Sequence, residues 1–128
     1  MASFSISRTG VLAYRAGATE ARQLLWFDRN GKETPALEEP GLYRDAWLSP
    51  DGKRLAFELA RGTEAEDIWI RDVARGVTSR FTFDAAREFD PVWSPDGRSI
   101  VYSAQRAKVD LMLKDAAGTR EAEVLFES

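Results

Sequence analysis

The tetrapeptide Ser-Pro-Asp-Gly occurs twice, at Ser49-Pro50-Asp51-Gly52 and Ser94-Pro95-Asp96-Gly97, and a degenerate Ser7-Arg8-Thr9-Gly10 stands where a third copy falls. The intervals, from Ser7 to Ser49 and from Ser49 to Ser94, are 42 and 45 residues. Each is long enough for four short strands and their turns, the length of one β-propeller blade. Three such units do not close a ring, so the repeat predicts either an assembly of these chains or one section of a larger propeller.

The phase of the repeat extends past the turn. Apolar runs ending in an aromatic follow each one: Val11-Leu12-Ala13-Tyr14, Leu55-Ala56-Phe57 and Ile100-Val101-Tyr102. These read as second strands. Third strands are Leu24 to Asp28, Ile68 to Asp72 and Leu111 to Asp115, each closed by an Asp and followed by Gly31, Gly76 or Gly118. Fourth strands are weaker, at Thr34 to Glu38, Ser79 to Phe83 and Glu121 to Phe126, and the alternating Arg80-Phe81-Thr82-Phe83 is the clearest. First strands precede the turns, at Ser3 to Ser7, Asp45 to Ser49 and Asp90 to Ser94. The fold class is all-β: three four-stranded blades, approximately 1-41, 42-84 and 85-128, a half propeller that two copies complete into a six-bladed ring.

The turn motif has a mechanical reading. Pro sets the second position of a type I turn, Asp bonds nearby backbone, and Gly takes positive φ where the next strand begins. The loops Arg15 to Arg22, Glu58 to Glu66 and Ser103 to Val109 vary while the strands keep phase, so specificity is expected there.

No apolar run approaches the ~20 residues of a membrane helix, and Met1-Ala2-Ser3 opens no basic-then-apolar signal. The chain as given is expected in the cytoplasm and away from membranes. Charges are interspersed, 18 basic against 21 acidic for a net −3, which argues against a nucleic-acid partner. Cys and His are both absent. That removes disulfides, thiolate or imidazole metal sites, and nucleophile systems built on His. A non-catalytic binding role is the expectation.

Two sets of acidic positions recur. Four residues before each turn Ser stand Asp45 and Asp90, with Ser3 in the first repeat. In a closed ring of two chains they would encircle the channel mouth, where a hard cation such as calcium, or a basic peptide, would be held. The competing reading has each Asp capping backbone amides. Gln23, Asp67 and Asp110, at the starts of the third strands, are assigned to structural bonding, as are Asp28, Asp72 and Asp115 at their ends. Trp26, Trp47, Trp69 and Trp93 are expected in the wedges between sheets, with room for one to face a groove.

The run Asp90-Pro91-Val92-Trp93-Ser94-Pro95-Asp96-Gly97 with Ile100-Val101-Tyr102 and Asp110-Leu111-Met112-Leu113 resembles the WD-like propeller repeats of the TolB family. The second repeat matches nearly as well, and the resemblance covers essentially the whole chain. The first departs at Arg8 and Thr9, and its Trp26-Phe27-Asp28-Arg29-Asn30-Gly31 resembles an opening blade of TolB-like propellers fused behind bacterial serine/threonine protein kinases. The resemblance implies six blades and a role in binding or sensing rather than catalysis; it specifies no ligand, and a peptide or protein is the ligand class expected. Homodimerisation, burying both uncovered ends of the arc, is the assembly expected, and the boundaries at whole blades suggest an excised or engineered piece. The alternatives are an enzyme or cation-dependent activity around Asp45 and Asp90, or a sensor segment of a larger kinase.

Overall fold

A computed structural model describes residues 4–6, 12–16, 21–61 and 65–128. The described residues form twelve strands and no helix. The strands are β1 Phe4–Ile6, β2 Leu12–Ala16, β3 Gln23–Phe27, β4 Glu33–Pro35, β5 Tyr43–Leu48, β6 Arg54–Arg61, β7 Ala65–Asp72, β8 Val77–Arg80, β9 Arg87–Trp93, β10 Ser99–Gln105, β11 Val109–Asp115 and β12 Glu123–Phe126. They pair antiparallel into three four-stranded sheets, each running in chain order. The degenerate turn Ser7 to Gly10 and Ser3 lie outside the described residues.

The two Ser-Pro-Asp-Gly turns are built alike, and Ser contributes more than a turn-opening preference. Ser49 Oγ donates to Asp51 Oδ1 at 2.6 Å and accepts from Arg54 N at 3.0 Å, while Asp51 Oδ1 also accepts from Lys53 N. Ser94, Asp96, Arg98 and Ser99 repeat these bonds at 2.6, 3.0 and 2.9 Å. Gly52 and Gly97 take φ of 71° and 69°, where any other side chain is strained. The hydroxyl donors hold Asp51 and Asp96 below their ordinary carboxylate range, with the following backbone N–H groups adding to the effect.

Side chains alternate across each strand, so neighbouring sheets share two cores. Leu24, Ala36 and Leu37 pack on Tyr43, Ala46, Leu48, Leu55 and Phe57 between the first and second sheets. On the other face of the second sheet, Ala56, Ile68, Ile70 and Phe81 meet Ile100, Tyr102, Ala104 and Met112 of the third. Strand β5 lies against β1 and β9, whereas β4, β8 and β12 each contact only the third strand of their own sheet among the described residues. The first strands therefore cluster and the fourth strands lie outermost. Trp26 and Trp69 flank the first core and Trp93 the second, all half-buried, and Trp93 Nε1 donates to the Trp47 carbonyl at 3.0 Å.

Three local expectations are corrected. The segments read as loops at Glu58 to Glu66 and Ser103 to Val109 are largely strand, because β6 runs to Arg61, β7 begins at Ala65 and β10 runs to Gln105. The fourth strand of the second repeat is Val77–Arg80 rather than Ser79 to Phe83. Phe81 and Thr82 leave that strand yet keep donating their N–H groups to the Ile68 carbonyl, because the Phe81 ring turns into the second core. Third strands also begin before Asp67 and Asp110, at Ala65 and Val109.

Candidate functional site

Bulges at nearly the same place in the two first strands, one residue out of phase, hold the acidic positions. In the second sheet Arg44 and Asp45 together oppose Glu58, between the pairs Tyr43↔Leu59 and Ala46↔Phe57. In the third, Asp90 and Pro91 oppose Tyr102, between Phe89↔Ser103 and Val92↔Val101. A bulge of this kind turns the strand and re-aims a side chain. Asp90 has φ 52°, a left-handed conformation that Asp tolerates better than most residues.

The turned strand presents Asp90 N to Glu58 Oε1 at 2.6 Å. Glu58 is buried, and its carboxyl is pushed up to about 7, first by burial. The Asp90 N–H opposes that rise, and the negative charges of Asp45, Glu66 and Asp90 add to it. Asp45 and Asp90 both act on Glu58, a residue that fell in a supposed loop and was not anticipated. Among the described residues the Asp90 carboxylate makes no hydrogen bond to a backbone amide; Asp90 acts on Glu58 through its own N–H and its charge.

Glu66 ties the two sheets together. Its Oε1 meets Arg44 Nε at 3.0 Å and its Oε2 meets Arg87 Nε at 2.7 Å, one arginine from each first strand. Behind it, fully buried Asp67 pairs with Arg80 at 3.0 Å, and Arg80 Nε also donates to the Thr82 carbonyl. Asp67 therefore bonds a guanidinium across the sheet, where turn amides were expected. Asp110, its counterpart, lies 3.9 Å from Arg106, and Gln23 opens β3. Asp28, Asp72 and Asp115 do cap the outer hairpins through backbone N–H groups of Asn30, Lys32, Arg75, Thr119 and Arg120.

Chemically this edge offers fixed carboxylates, two arginines and one glutamate able to exchange a proton near neutrality. The described residues contain no group of three or more His, Cys, Asp or Glu side chains set to hold a metal ion. No helix among them is long and apolar enough to cross a membrane.

A second surface is defined by the repeat itself. Ile68 in β7 is fully buried against the third sheet, yet its counterpart Leu111 in β11 is 40% exposed. Val92, on the bulged strand β9 two strands away, is 58% exposed, and Phe126, which pairs with Leu111, is 60% exposed. The face of the third sheet that corresponds to a covered face of the second is apolar and open.

No family model matches the chain. It is 33% identical over 67 residues to the uncharacterized peptidase YuxL of Bacillus subtilis, covering 48% of this chain and 10% of that protein. It is 32% identical over 86 residues to the Tol-Pal system protein TolB of Anaeromyxobacter dehalogenans, covering 65% of this chain and 18% of that one. The chain thus spans less than a fifth of the length of either relative. Among solved structures, TolB from Acinetobacter baumannii superposes with a TM-score of 0.83 at 21% identity, over 98% of this chain and 32% of that one. The putative TolB from Agrobacterium tumefaciens gives 0.83 at 24% identity, over 98% and 49%. An acylaminoacyl peptidase from Pyrococcus horikoshii also superposes, at 0.72 and 14% identity, over 100% and 26%. All-β, with four-stranded sheets and these structural likenesses, the chain has the fold of a TolB-like β-propeller.

Proposed function

We propose that the chain is a non-catalytic binding scaffold, a half propeller of three blades that self-associates so that two copies close a six-bladed ring. The observation that carries this reading is the open apolar face around Leu111 and Val92. Its counterpart in the second sheet is covered by a neighbouring sheet, so the surface complementary to it is another sheet of the same kind. Head-to-tail pairing of two arcs covers that face in both copies with one twofold arrangement. The absence of His and Cys and the lack of a three-ligand acidic cage among the described residues both favour binding over catalysis.

In such a ring the acidic first-strand edge around Asp45 and Asp90 lines the channel mouth and favours a basic peptide segment as ligand. The likeness of Trp26 to Gly31 to kinase-fused propellers fits a sensing role. The competing reading, a cation-dependent activity at Asp45 and Asp90, rests on the charges that converge on Glu58.

Light scattering across a dilution series tests the assembly. A mass near twice 14.3 kDa, returning to the monomer value in Leu111→Glu while the β circular dichroism is kept, is the expected result. A wild-type monomer at every concentration would overturn it and favour one section of a larger ring.

A further inference from the structure

A small cleft of about 180 Å³ opens between the outer strand of the second sheet, β8, and the end of β11, with Ser79, Arg80, Phe83 and Lys114 among its walls. Among the described residues no acid lines it. Two cations instead converge on one ring, Arg80 Cζ at 5.0 Å and Lys114 Nζ at 5.4 Å from the Phe83 centroid. Phe83 is 66% exposed, so solutes reach that ring and the cations beside it.

Both cations have donors to spare. Lys114 Nζ donates to the Phe81 carbonyl at 2.8 Å, which leaves N–H groups over, and it forms no ion pair among the described residues. Arg80 gives Nε to the Thr82 carbonyl at 2.7 Å and Nη2 to Asp67 at 3.0 Å, and its Nη1 makes no hydrogen bond among the described residues. The Arg80 side chain keeps 26% of its surface exposed. Asp67, fully buried behind it, offsets one of the positive charges. The charge of Lys114 has no such partner.

The first wedge shows that packing does not require this arrangement. Strand pairing and repeat phase match Pro35 to Arg80, Glu38 to Phe83 and Arg71 to Lys114. There Arg71 shares its cleft with the acid Glu38. Where the first wedge sets one cation beside an acid, the second has two cations and an open ring. Like charges held together repel, and a solute anion relieves that repulsion.

We infer that this cleft is a binding site for a phosphate-sized oxyanion, its oxygens meeting the Lys114 ammonium, Arg80 Nη1 and the Ser79 hydroxyl. Charge-assisted donors from separate elements suit a group with several oxygens. Because both walls belong to one chain, occupancy does not depend on ring closure.

The test uses sodium phosphate at neutral pH, with sodium acetate as control and ionic strength held by sodium chloride, read by thermal unfolding and by the Lys114 ε-methylene signal in NMR. A saturable rise in Tm of about 5 °C at tenfold excess over Kd is expected, with a saturable Lys114 shift. Lys114→Gln removes the unpaired charge, and Phe83→Glu copies the acid of the first wedge at an exposed position. Each variant, folded by circular dichroism, loses the rise in Tm. No saturable response in the wild type, an equal response to acetate, or a rise that persists in folded Lys114→Gln or Phe83→Glu would overturn the assignment.

Discussion

Glu58→Gln is the substitution whose outcome follows most directly from the first-strand bulge. In the unfolded chain this carboxyl releases its proton near an ordinary 4.5, and in the folded protein it holds the proton up to about 7. Between those values unfolding releases a proton, so stability falls as pH rises; below 4.5 the effect is absent and above 7 it is complete. A displacement of that size corresponds to about 3 kcal/mol at the upper bound, and partial access of water reduces it to roughly 1–3 kcal/mol. Glutamine keeps an oxygen to accept from Asp90 N and carries no charge against Asp45, Glu66 and Asp90. Wild type and variant should therefore unfold at nearly the same urea concentration at pH 5. At pH 8 the variant should be the more stable, with a midpoint higher by about 1–2 M for a urea slope near 1.5 kcal/mol/M. Protein concentration is held fixed, because self-association would otherwise move the midpoint. The window stays above pH 5 so that Asp51, Asp84, Asp96 and Asp115, all held below the ordinary range, remain ionised throughout. Parallel pH profiles, or a variant less stable than wild type at pH 8, would refute the reasoning.

Three further substitutions probe the turns. Arg54 stacks on the Trp93 ring at 4.8 Å and donates to the Gly97 carbonyl, joining the second sheet to the turn of the third, so Arg54→Ala should lower stability by about 1–2 kcal/mol in urea unfolding. Ser49 and Ser94 make the same bonds, but Ser49 is buried and Ser94 half-buried. Ser49→Ala, which leaves the part-buried Arg54 N–H without its acceptor, should cost about 1–3 kcal/mol, and Ser94→Ala about 1 kcal/mol or less; equal costs would mean that burial does not set the difference.

The number of sheets, their order and their phase were legible because the turn motif repeats at a fixed place in each unit and positive φ at Gly52 and Gly97 leaves little choice of residue. The hairpin-capping aspartates were legible for a similar reason: Asp28, Asp72 and Asp115 bond amides two to five residues away. The lengths of β6 and β7 were not. Glu58 and Glu66 interrupt the apolar pattern and read as the ends of a loop, and Asp67 reads as a strand start, whereas the burial of all three is made possible by Arg44, Arg80, Arg87 and the Asp90 amide, all distant along the chain or in the next repeat. A residue's own neighbours in sequence carry no trace of such partners. The repeat phase does align Glu88 with Tyr43, each six residues before its turn Ser, but the burial of Glu88 is not written in that alignment.

Among the described residues, the acids buried in the strands, Glu58, Glu66, Asp67 and Glu88, lie in the second and third sheets. Those that bridge sheets do so between these two: Glu66 to Arg87, and Glu58 to the Asp90 amide. The wedge between the first and second sheets uses Leu24, Leu37, Tyr43, Leu55 and Phe57 for the same mechanical task. Burying ionised groups gains little stability over well-packed apolar residues even when they are paired. If stability alone shaped the second wedge, it would look like the first. What the ion pairs add is direction: Glu66 meets Arg44 and Arg87 at once only when β5 and β9 hold one relative position, and the Glu58 bond needs the left-handed turn at Asp90. Polar burial in this chain therefore tracks the place where two sheets must hold one orientation, rather than the place where they most need holding together.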